Sequence, residues 1–360
     1  MLVKLLKNSD LGKFPTEVIC LARTGELGRS IEGLGIKVRY LEMNPRLPNP
    51  IMFFRLVQLL RKSAPDLVQT WMYHSDLLGG IAAKLARVPL VVWNIRNGSF
   101  NKRQLKFSTR LVVMLSSFLS RQIPNKIVSC SKAAITFHKS LGYRASKFVY
   151  LPNGFDVTRF SPNTEKRNSL RKILNIPNNH ILIGMFARFH PQKDFESFIQ
   201  AARRISTKNK NVQFVLAGEG IESTNSALYD PIKSAGMADI FLLLGLRSDL
   251  DDLYNTLDIF TLSSSFGEGF PNVVGEAMSC GIPVVATTDG DTEEIIGDAG
   301  ATVPTSNPSA LAQKWEQMIS LPNAQRKTLG ENARKRILDK FEISKITQNY
   351  YSLYVDIASN

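Results

Sequence analysis

Short apolar runs alternate with amphipathic stretches along the whole chain. In the first half, Val- and Ile-rich runs predict strands at 17–21, 37–41, 67–72, 90–95, 126–130 and 147–151, with helices at 50–62, 75–86, 103–120 and 132–141. In the second half, similar runs predict strands at 181–186, 212–217, 240–244, 259–262 and 284–287. Nearly continuous apolar strands are typical of parallel sheets covered on both faces, so the pattern predicts two doubly wound α/β domains.

The alternation is interrupted once, near the middle of the chain. Pro152, Asn153 and Gly154 follow the sixth strand, and a polar stretch at 161–166 comes next. Because 360 residues exceed one ordinary core, we predict a first domain at 1–155 and a second at 156–340. The tail at 341–360 predicts a final amphipathic helix. The chain opens with a helical apolar pattern at 1–6, where sheets of this class normally begin with a strand.

Charge separates the two halves. Residues 1–160 hold 25 Lys and Arg against 8 Asp and Glu, a net charge of +17, whereas 161–360 hold 20 against 23, a net charge of −3. A basic half suits nucleic acid, an anionic membrane surface or a phosphorylated substrate. Without a helix-turn-helix, zinc-finger or RNA-binding motif, an anionic lipid is favoured and nucleic acid is not expected.

Other features narrow the class of protein. No apolar run approaches the roughly 18 residues that span a bilayer, and Lys4 and Lys7 interrupt the start, so we predict no signal peptide. Cys20, Cys130 and Cys280 show neither disulfide nor metal-ligand spacing, which suits the cytoplasm.

The most informative stretch is 264–281, SSFGEGFPNVVGEAMSCG. It predicts a glycine-flanked carboxylate, Glu268, followed by a helix with Pro271 in its first turn. Amides at such a helix start bind phosphate, and glycines allow close approach of a ligand. Glu268 and Glu276 would accept hydrogen bonds from sugar and ribose hydroxyls. The other residues of this stretch that we predict to contact the same ligand are Gly267, Gly269, Phe270, Asn272 and Val273.

A second motif, GMFARFHPQKDF at 184–195, supplies two cations. Arg188 and Lys193 follow a predicted strand, at the end where open α/β sheets bind ligands. They suit a diphosphate and would stabilise its departure in place of a metal ion. Two further ligand contacts are predicted from weaker evidence. Gly218 is predicted to lie near a nucleotide, and Gly245 and Arg247 are predicted to lie beside its nucleobase.

Two features of the basic half have alternative interpretations. His74 and Asp76 either bind an acceptor, or Ser75 or Asp76 caps a helix while His74 packs. The stretch 102–121 mixes Lys102, Arg103 and other basic residues with apolar ones. It either lies on a membrane surface or is a core helix with a basic outer face.

These motifs together resemble a known family. Glu268 to Glu276, followed by AMSCGIPVVAT, is similar to the E-x7-E signature of retaining glycosyltransferase family 4, the group 1 glycosyltransferases. Arg188 and Lys193 match its diphosphate-binding pair, and VYLPNGFDVTRF at 149–160 is similar to its interdomain segment. In the first half the similarity to the family is looser and is found in PDLVQTWMYHSDLLGG and RVPLVVWNIRN. The first of these segments resembles bacterial members that build surface polysaccharides on lipid carriers.

The resemblance implies a GT-B fold of two facing Rossmann-like domains, with donor bound by the second and acceptor by the first. It implies that Glu268 contacts the donor hexose, Glu276 the ribose, and Arg188 with Lys193 the diphosphate. It further implies a last helix crossing back to the first domain, no metal or other cofactor, and front-face attack in which the leaving phosphate takes the acceptor proton.

The sequence departs from the family twice. Arg96, next to Asn97, occupies the place of a family His that contacts the donor sugar, so a proton-shuttling role is not expected there; both remain candidate sugar or acceptor contacts. The family's opening strand and Gly-rich loop are not found, and residues 1–6 resemble the middle of its first helix. We therefore expect the chain as written to have reduced or no activity, or its start to be misassigned.

The leading hypothesis is transfer of a hexose or N-acetylhexosamine from a nucleotide diphosphate sugar to a polyprenyl-diphosphate-linked or other anionic lipid acceptor. The reaction would take place at the inner face of the cytoplasmic membrane. Alternatives are a nucleotide-sugar epimerase of related architecture and a catalytically impaired sugar-nucleotide-binding subunit. A dehydrogenase is disfavoured, because no GxGxxG follows a strand with a downstream acid.

Overall fold

The computed structural model describes residues 1–23, 25–43, 50–100 and 106–359. The chain divides into two compact α/β units, Met1–Gly154 with Ile343–Asn360, and Phe155–Glu342. The first unit therefore contains both ends of the chain. Among the described residues, no helix is long and apolar enough to span a membrane.

Within its described residues, the first unit contains two parallel sheets. Its strands are β1 (Glu17–Cys20), β2 (Lys37–Tyr40), β3 (Leu67–Gln69), β4 (Leu90–Ile95), β5 (Lys126–Ser129) and β6 (Phe148–Tyr150). β1 pairs with β2, and the others pair in the order β3-β4-β5-β6. Its helices are α1 (Leu2–Lys7), α2 (Glu26–Glu32), α3 (Pro50–Ser63), α4 (Tyr73–Leu85), α5 (Phe107–Leu119) and α6 (Lys132–Ser140).

The second unit is built on one parallel sheet with the order β12-β11-β10-β7-β8-β9. The strands are β7 (Ile181–Phe186), β8 (Val212–Ala217), β9 (Phe241–Leu243), β10 (Ile259–Leu262), β11 (Val284–Thr287) and β12 (Ala301–Val303). The helices are α7 (Thr164–Ile173), α8 (Phe195–Ser206), α9 (Ser226–Ser234), α10 (Leu250–Asn255), α11 (Asn272–Ser279), α12 (Thr292–Ile296), α13 (Pro308–Ser320) and α14 (Asn323–Lys340). The strand order reverses at β7, which lies between β8 and β10.

The final helix, α15 (Ile343–Ala358), packs within the first unit. Ile346, Tyr350 and Leu353 share a buried cluster with Val92 of β4 and Val128 of β5. Asn94 donates a side-chain hydrogen bond of 3.1 Å to the hydroxyl of Tyr350. These contacts use the apolar positions whose helical spacing predicts this helix.

The sequence predicts the bounds of the central strands more accurately than those of the strands at the edges of the sheets. The bounds predicted for β4, β7, β8, β10 and β11 agree with the structure at both ends. β3 ends at Gln69 instead of residue 72, where Met72 has a positive φ of 76°. β6 and β9 begin later than predicted because short 3-10 turns, Ala145–Lys147 and Ala238–Ile240, precede them. β12 is not predicted, since its three residues form no apolar run.

One carboxyl group lies inside the core of the first unit. Asp76 of α4 is 1% exposed. Its Oδ1 accepts hydrogen bonds from the Thr70 hydroxyl at 2.5 Å and the Asn94 amide at 3.3 Å, while Oδ2 has no hydrogen-bond partner among the described residues. Burial raises the pKa of Asp76 to about 7. The folded protein therefore keeps this group protonated at pH values where the unfolded chain has lost the proton.

We expect the free energy of unfolding to fall as pH rises from about 5 to about 7, because in this range the unfolded chain has released the Asp76 proton while the folded protein still holds it. The loss should be about 2 kcal/mol. Asp76→Asn cannot titrate, so its stability should vary less over the same range. Urea denaturation followed by tryptophan fluorescence would measure both proteins. Equal pH dependence in the two would contradict the assignment.

Candidate active site

The predicted charged residues of the second unit lie where the strand order reverses. β7 and β10 pair directly, with Ile183 opposite Ile259 and Gly184 opposite Phe260. The loop after β7 leads through the 3-10 turn Pro191–Lys193 to α8, and the loop after β10 leads to α11. The carboxyl ends of neighbouring parallel strands at such a switch point form a crevice that binds ligands in open α/β sheets.

Hydrogen bonds fix the two loops against each other. The Ser263 hydroxyl donates to the carbonyls of Lys193 at 2.8 Å and Asp194 at 3.1 Å. The Ser265 amide donates to the carbonyl of Gln192 at 2.9 Å. The Asp194 carboxylate in turn caps α8 by accepting from the Ser197 amide at 3.1 Å. The backbone that carries Lys193 is therefore held from both sides.

Lys193 and Glu268 form an ion pair within this site. Their side chains are 15% and 10% exposed. Glu268 Oε1 also accepts a hydrogen bond of 2.6 Å from the Ser264 hydroxyl. The structure thus brings together an ammonium and a carboxylate that lie 75 positions apart in the sequence.

The loop after β11 supports Glu268 from another side. The Glu268 amide donates to Asp289 Oδ2 at 2.7 Å, and the Asp291 amide donates to the Gly269 carbonyl at 2.8 Å. Gly290 has a φ of 61°, and a Cβ there would lie 2.5 Å from the Glu268 carbonyl oxygen. Burial raises the pKa of the Asp289 carboxyl group. The glycine-flanked loop is therefore braced by backbone contacts.

Sequence reasoning missed Ser264 and Asp289 as site residues. The available signal was that polar residues follow β10 and β11, as in Thr287-Thr288-Asp289-Gly290. Recognising their role requires knowing that these strands are neighbours, which the structure provides.

The helix predicted to receive phosphate begins one residue later than expected. Pro271 is the N-cap of α11 rather than part of its first turn, because its ψ of 109° is extended. No side chain caps this helix, and its first turn holds no acidic residue. The Phe270 ring is buried and stacks on Phe155 with centroids 6.2 Å apart, so only the backbone of Phe270 is available to a ligand. Gly267 and Gly269 flank Glu268 as predicted, and Asn272 and Val273 open the helix.

Glu276 lies on α11, partly exposed, and accepts a hydrogen bond of 3.4 Å from the buried Tyr254 hydroxyl. Arg188 is exposed just beyond β7 and makes no hydrogen bond or ion pair with any other described residue. The exposed Arg188 guanidinium is therefore available to bind an anionic ligand.

The glycine turns after β8 and β9 join the same edge of the sheet. The Gly218 amide donates to the Gly245 carbonyl at 2.7 Å, and the Phe189 amide donates to the Glu219 carbonyl at 2.7 Å. Gly218 has a φ of 145°, and a Cβ there would lie 2.2 Å from the Ala187 carbonyl oxygen. Arg247 is paired with Asp249 at 2.8 and 2.5 Å. Gly218 thus packs next to the loop that carries Arg188, and Gly245 is hydrogen-bonded to Gly218.

The two candidate residues on α4 differ in their exposure to solvent. His74 is exposed in the first turn of α4, whereas Asp76 is buried in the core. The alternative in which Ser75 or Asp76 caps this helix is wrong, because the N-cap is Met72 and no side chain caps the helix.

Arg96 is held by several neighbours in the first unit. Its guanidinium donates to the side chains of Asn153 and, at 3.5 Å, Asn94, and lies 5.3 Å from the centroid of the Trp71 ring. Asn97, beside it, is partly exposed. Arg96 therefore offers a planar guanidinium that donates hydrogen bonds, in place of the imidazole that a proton relay would use.

Within the described residues, no group of three or more His, Cys, Asp and Glu side chains could hold a metal ion.

Two family models match the chain, one in each half. The model of glycosyl transferases group 1 matches residues 166–336, and that of Glycosyltransferase Family 4 matches residues 13–159. Among solved structures, Anabaena Alr3699/HepE in complex with UDP aligns with a TM-score of 0.86 and 22% identity, covering 99% of this chain and 95% of that one. This likeness establishes a GT-B fold.

Three curated relatives illustrate the sequence similarity. A galactosyltransferase from Escherichia coli, UDP-Gal:alpha-D-GlcNAc-diphosphoundecaprenol alpha-1,3-galactosyltransferase, is 28% identical and covers 85% of this chain and 79% of its own length. The N,N'-diacetylbacillosaminyl-diphospho-undecaprenol alpha-1,3-N-acetylgalactosaminyltransferase of Campylobacter jejuni is 28% identical, with 96% and 92% covered. A GDP-mannose-dependent phosphatidylinositol monomannoside mannosyltransferase of Corynebacterium glutamicum is 30% identical, with 81% and 76% covered. The two models together with this last relative place the chain in the group 1 glycosyltransferases, glycosyltransferase family 4.

Proposed function

We propose that this glycosyltransferase moves a hexose or N-acetylhexosamine, with retention, from a nucleotide diphosphate sugar to a lipid-linked saccharide during synthesis of a cell-surface polysaccharide. The observation that carries the donor half of this proposal is the meeting of Lys193, Glu268 and the start of α11 at the β7–β10 switch point. A cation and a helix N-terminus suit a diphosphate, and a carboxylate suits the hydroxyls of a sugar.

The proposed reaction uses this arrangement as follows. Lys193, Arg188 and the amides at the start of α11 bind the diphosphate, and Glu268 accepts hydrogen bonds from the donor sugar. The bond between the anomeric carbon and the diphosphate oxygen breaks while the acceptor oxygen attacks from the same face. The acceptor proton passes to the departing phosphate oxygen. Glu276 binds the ribose, and the turns at Gly218, Gly245 and Arg247 lie beside the base.

No metal is needed in this scheme, because Arg188 and Lys193 supply the positive charge that stabilises the leaving diphosphate. Arg188 has no competing partner among the described residues, and Lys193 has one anionic partner that a phosphate can replace. Transfer in the presence of excess chelator is therefore expected.

The lipid-linked acceptor is supported by charge and by the relatives. The net charge of +17 over residues 1–160 favours an anionic acceptor in the first unit, where His74, Arg96 and Asn97 are candidate contacts. The relatives from Escherichia coli and Campylobacter jejuni are named for diphosphoundecaprenol-linked substrates. We place the reaction at the cytoplasmic face of the cytoplasmic membrane, with the protein bound peripherally.

A direct assay tests the proposal against its alternatives. The purified protein, in chelator, would receive uridine and guanosine diphosphate sugars with and without a polyprenyl-diphosphate-linked saccharide. Mass spectrometry would then follow both substrates. We expect a sugar to be added to the acceptor only when both are present. Conversion of the donor sugar without acceptor would instead indicate an epimerase, and donor binding without turnover a non-catalytic subunit.

Glu268→Gln should separate nucleotide binding from transfer. Because Lys193 loses its anionic partner, it becomes available to phosphate, and affinity for the nucleoside diphosphate should rise about 3- to 10-fold. Transfer should fall by about 100-fold or more, since the sugar loses its charged hydrogen-bond acceptor. Lys193→Ala should instead weaken nucleotide affinity about 10-fold. Titration calorimetry and initial rates would measure these effects.

An exposed ion pair in the same unit provides the control. Lys208 and Glu316 are 3.1 Å apart, with side chains 66% and 44% exposed. Lys208→Ala and Glu316→Gln should leave nucleotide affinity and transfer unchanged. If Glu268→Gln and Lys193→Ala altered nucleotide affinity in the same direction, the proposed exchange of partners would be wrong.

Asp289 should act as a positioning residue for Glu268. Asp289→Ala removes the acceptor of the Glu268 amide, so kcat/KM should fall about 10-fold or more while nucleotide affinity changes little. Asp289→Asn keeps a carbonyl oxygen in that place and should recover most of the activity. If the Asn variant were as impaired as the Ala variant, the carboxylate would act through its charge instead.

A further inference from the structure

Helix α5 of the first unit exposes a continuous apolar stripe. Phe107, Leu111, Met114, Leu115 and Phe118 are each 40% to 79% exposed. Their spacing of four, seven, eight and eleven residues from the first confines them to an arc of about 100° on a helix. Isolated exposed apolar residues are ordinary, whereas five on one helix face form a patch that usually marks an interaction surface.

The opposite face of α5 is anchored in the core, so the stripe belongs to an ordered helix. Val113 and Ser116 are buried, and the Ser117 hydroxyl donates to the Leu141 carbonyl at 2.7 Å. Val112 and Leu119 pack against the core cluster that includes α4. The expectation of a core helix with a basic outer face is therefore only partly right: one face of α5 lines the core, but its outer face is apolar. Lys102 and Arg103 lie outside the described residues.

The surroundings of α5 carry one sign of charge. From 77 to 155 the sequence contains 13 Lys and Arg and no Asp or Glu. Lys106, Arg110 and Arg121, next to the stripe, are exposed. Apolar side chains flanked by cations match the interface of an anionic bilayer, where the apolar groups enter the acyl boundary and the cations meet lipid phosphates.

We propose that the α5 stripe inserts into anionic lipid and is the element that binds the protein to a membrane. The inference rests on the lipid-linked acceptor of the proposed function, because such an acceptor has its diphosphate at the membrane surface. A second copy of this chain or another protein could also cover an apolar stripe, but neither accounts for 79 consecutive residues without an acidic group.

The first experiment compares a stripe variant with a matched control in flotation with vesicles. Met114→Ser with Phe118→Ser removes two stripe residues, whereas Leu27→Ser with Ile173→Ser removes side chains that are 72% and 70% exposed elsewhere. With vesicles containing phosphatidylglycerol and cardiolipin, the stripe variant should bind at least about 10-fold more weakly than the control pair and wild type. Vesicles of phosphatidylcholine alone should bind all three weakly.

The second experiment reports insertion directly. A Trp introduced as Phe118→Trp should be quenched by phosphatidylglycerol brominated on its acyl chains, whereas Ile173→Trp should not. Equal vesicle binding by the stripe variant and control, or no quenching at residue 118, would overturn the proposal. A concentration-dependent dimer that forms without lipid and disappears in the stripe variant would also overturn it, in favour of a second copy.

A third measurement separates this proposal from the transferase proposal. The stripe variant should bind nucleoside diphosphate like wild type and transfer sugar to a detergent-solubilised acceptor at the wild-type rate, while losing transfer to acceptor in vesicles. If no protein transfers sugar in detergent, the proposed function fails, yet vesicle binding still tests the stripe. If transfer in vesicles is unchanged in the stripe variant, the stripe proposal fails alone.

Discussion

The ion pair between Lys193 and Glu268 is the interaction around which the candidate site of the second unit is organised. Removing two charges from water costs free energy that their mutual attraction seldom exceeds, so such a pair is weak evidence for a stabilising role. Here each partner comes from a loop at the carboxyl end of a neighbouring strand, and hydroxyl groups hold both loops. We interpret the ion pair as one that a bound ligand separates. Lys193 then binds an anion, and Glu268 accepts hydrogen bonds from hydroxyl groups.

The second unit is built to hold that pair in place before a ligand arrives. Contacts from the loops after β7 and β11 fix the loop that carries Glu268, and the turn at Gly218 packs against the loop that carries Arg188. Groups that are already oriented cost no reorganisation when charge develops on a leaving diphosphate. The first unit differs in character: it is strongly basic and carries the apolar stripe of α5. These properties suit a unit that works at a lipid surface.

The sequence predicts strands and candidate site residues where the evidence for them lies within one short segment of the chain. The central strands β7, β8, β10 and β11 are buried on both faces, so their apolar runs predict their bounds. Glu268 and Lys193 could be identified as residue types after strands, but not as partners, because their contact depends on β7 and β10 being neighbours. The same reason hid Asp289, whose role depends on β10 pairing with β11. From its sequence, the apolar face of α5 could be interpreted either as part of the core or as part of the surface. Helical periodicity alone does not show whether an apolar helix face is buried or exposed.

The most direct test of the account is a crystal structure of the protein with a nucleoside diphosphate, grown in excess chelator. The account predicts that the terminal phosphate lies within hydrogen-bond distance of Lys193 Nζ, the Arg188 guanidinium and the amides at the start of α11, with the Lys193–Glu268 contact broken or lengthened. A diphosphate bound away from these groups, or bound while Lys193 remains paired with Glu268, would contradict it.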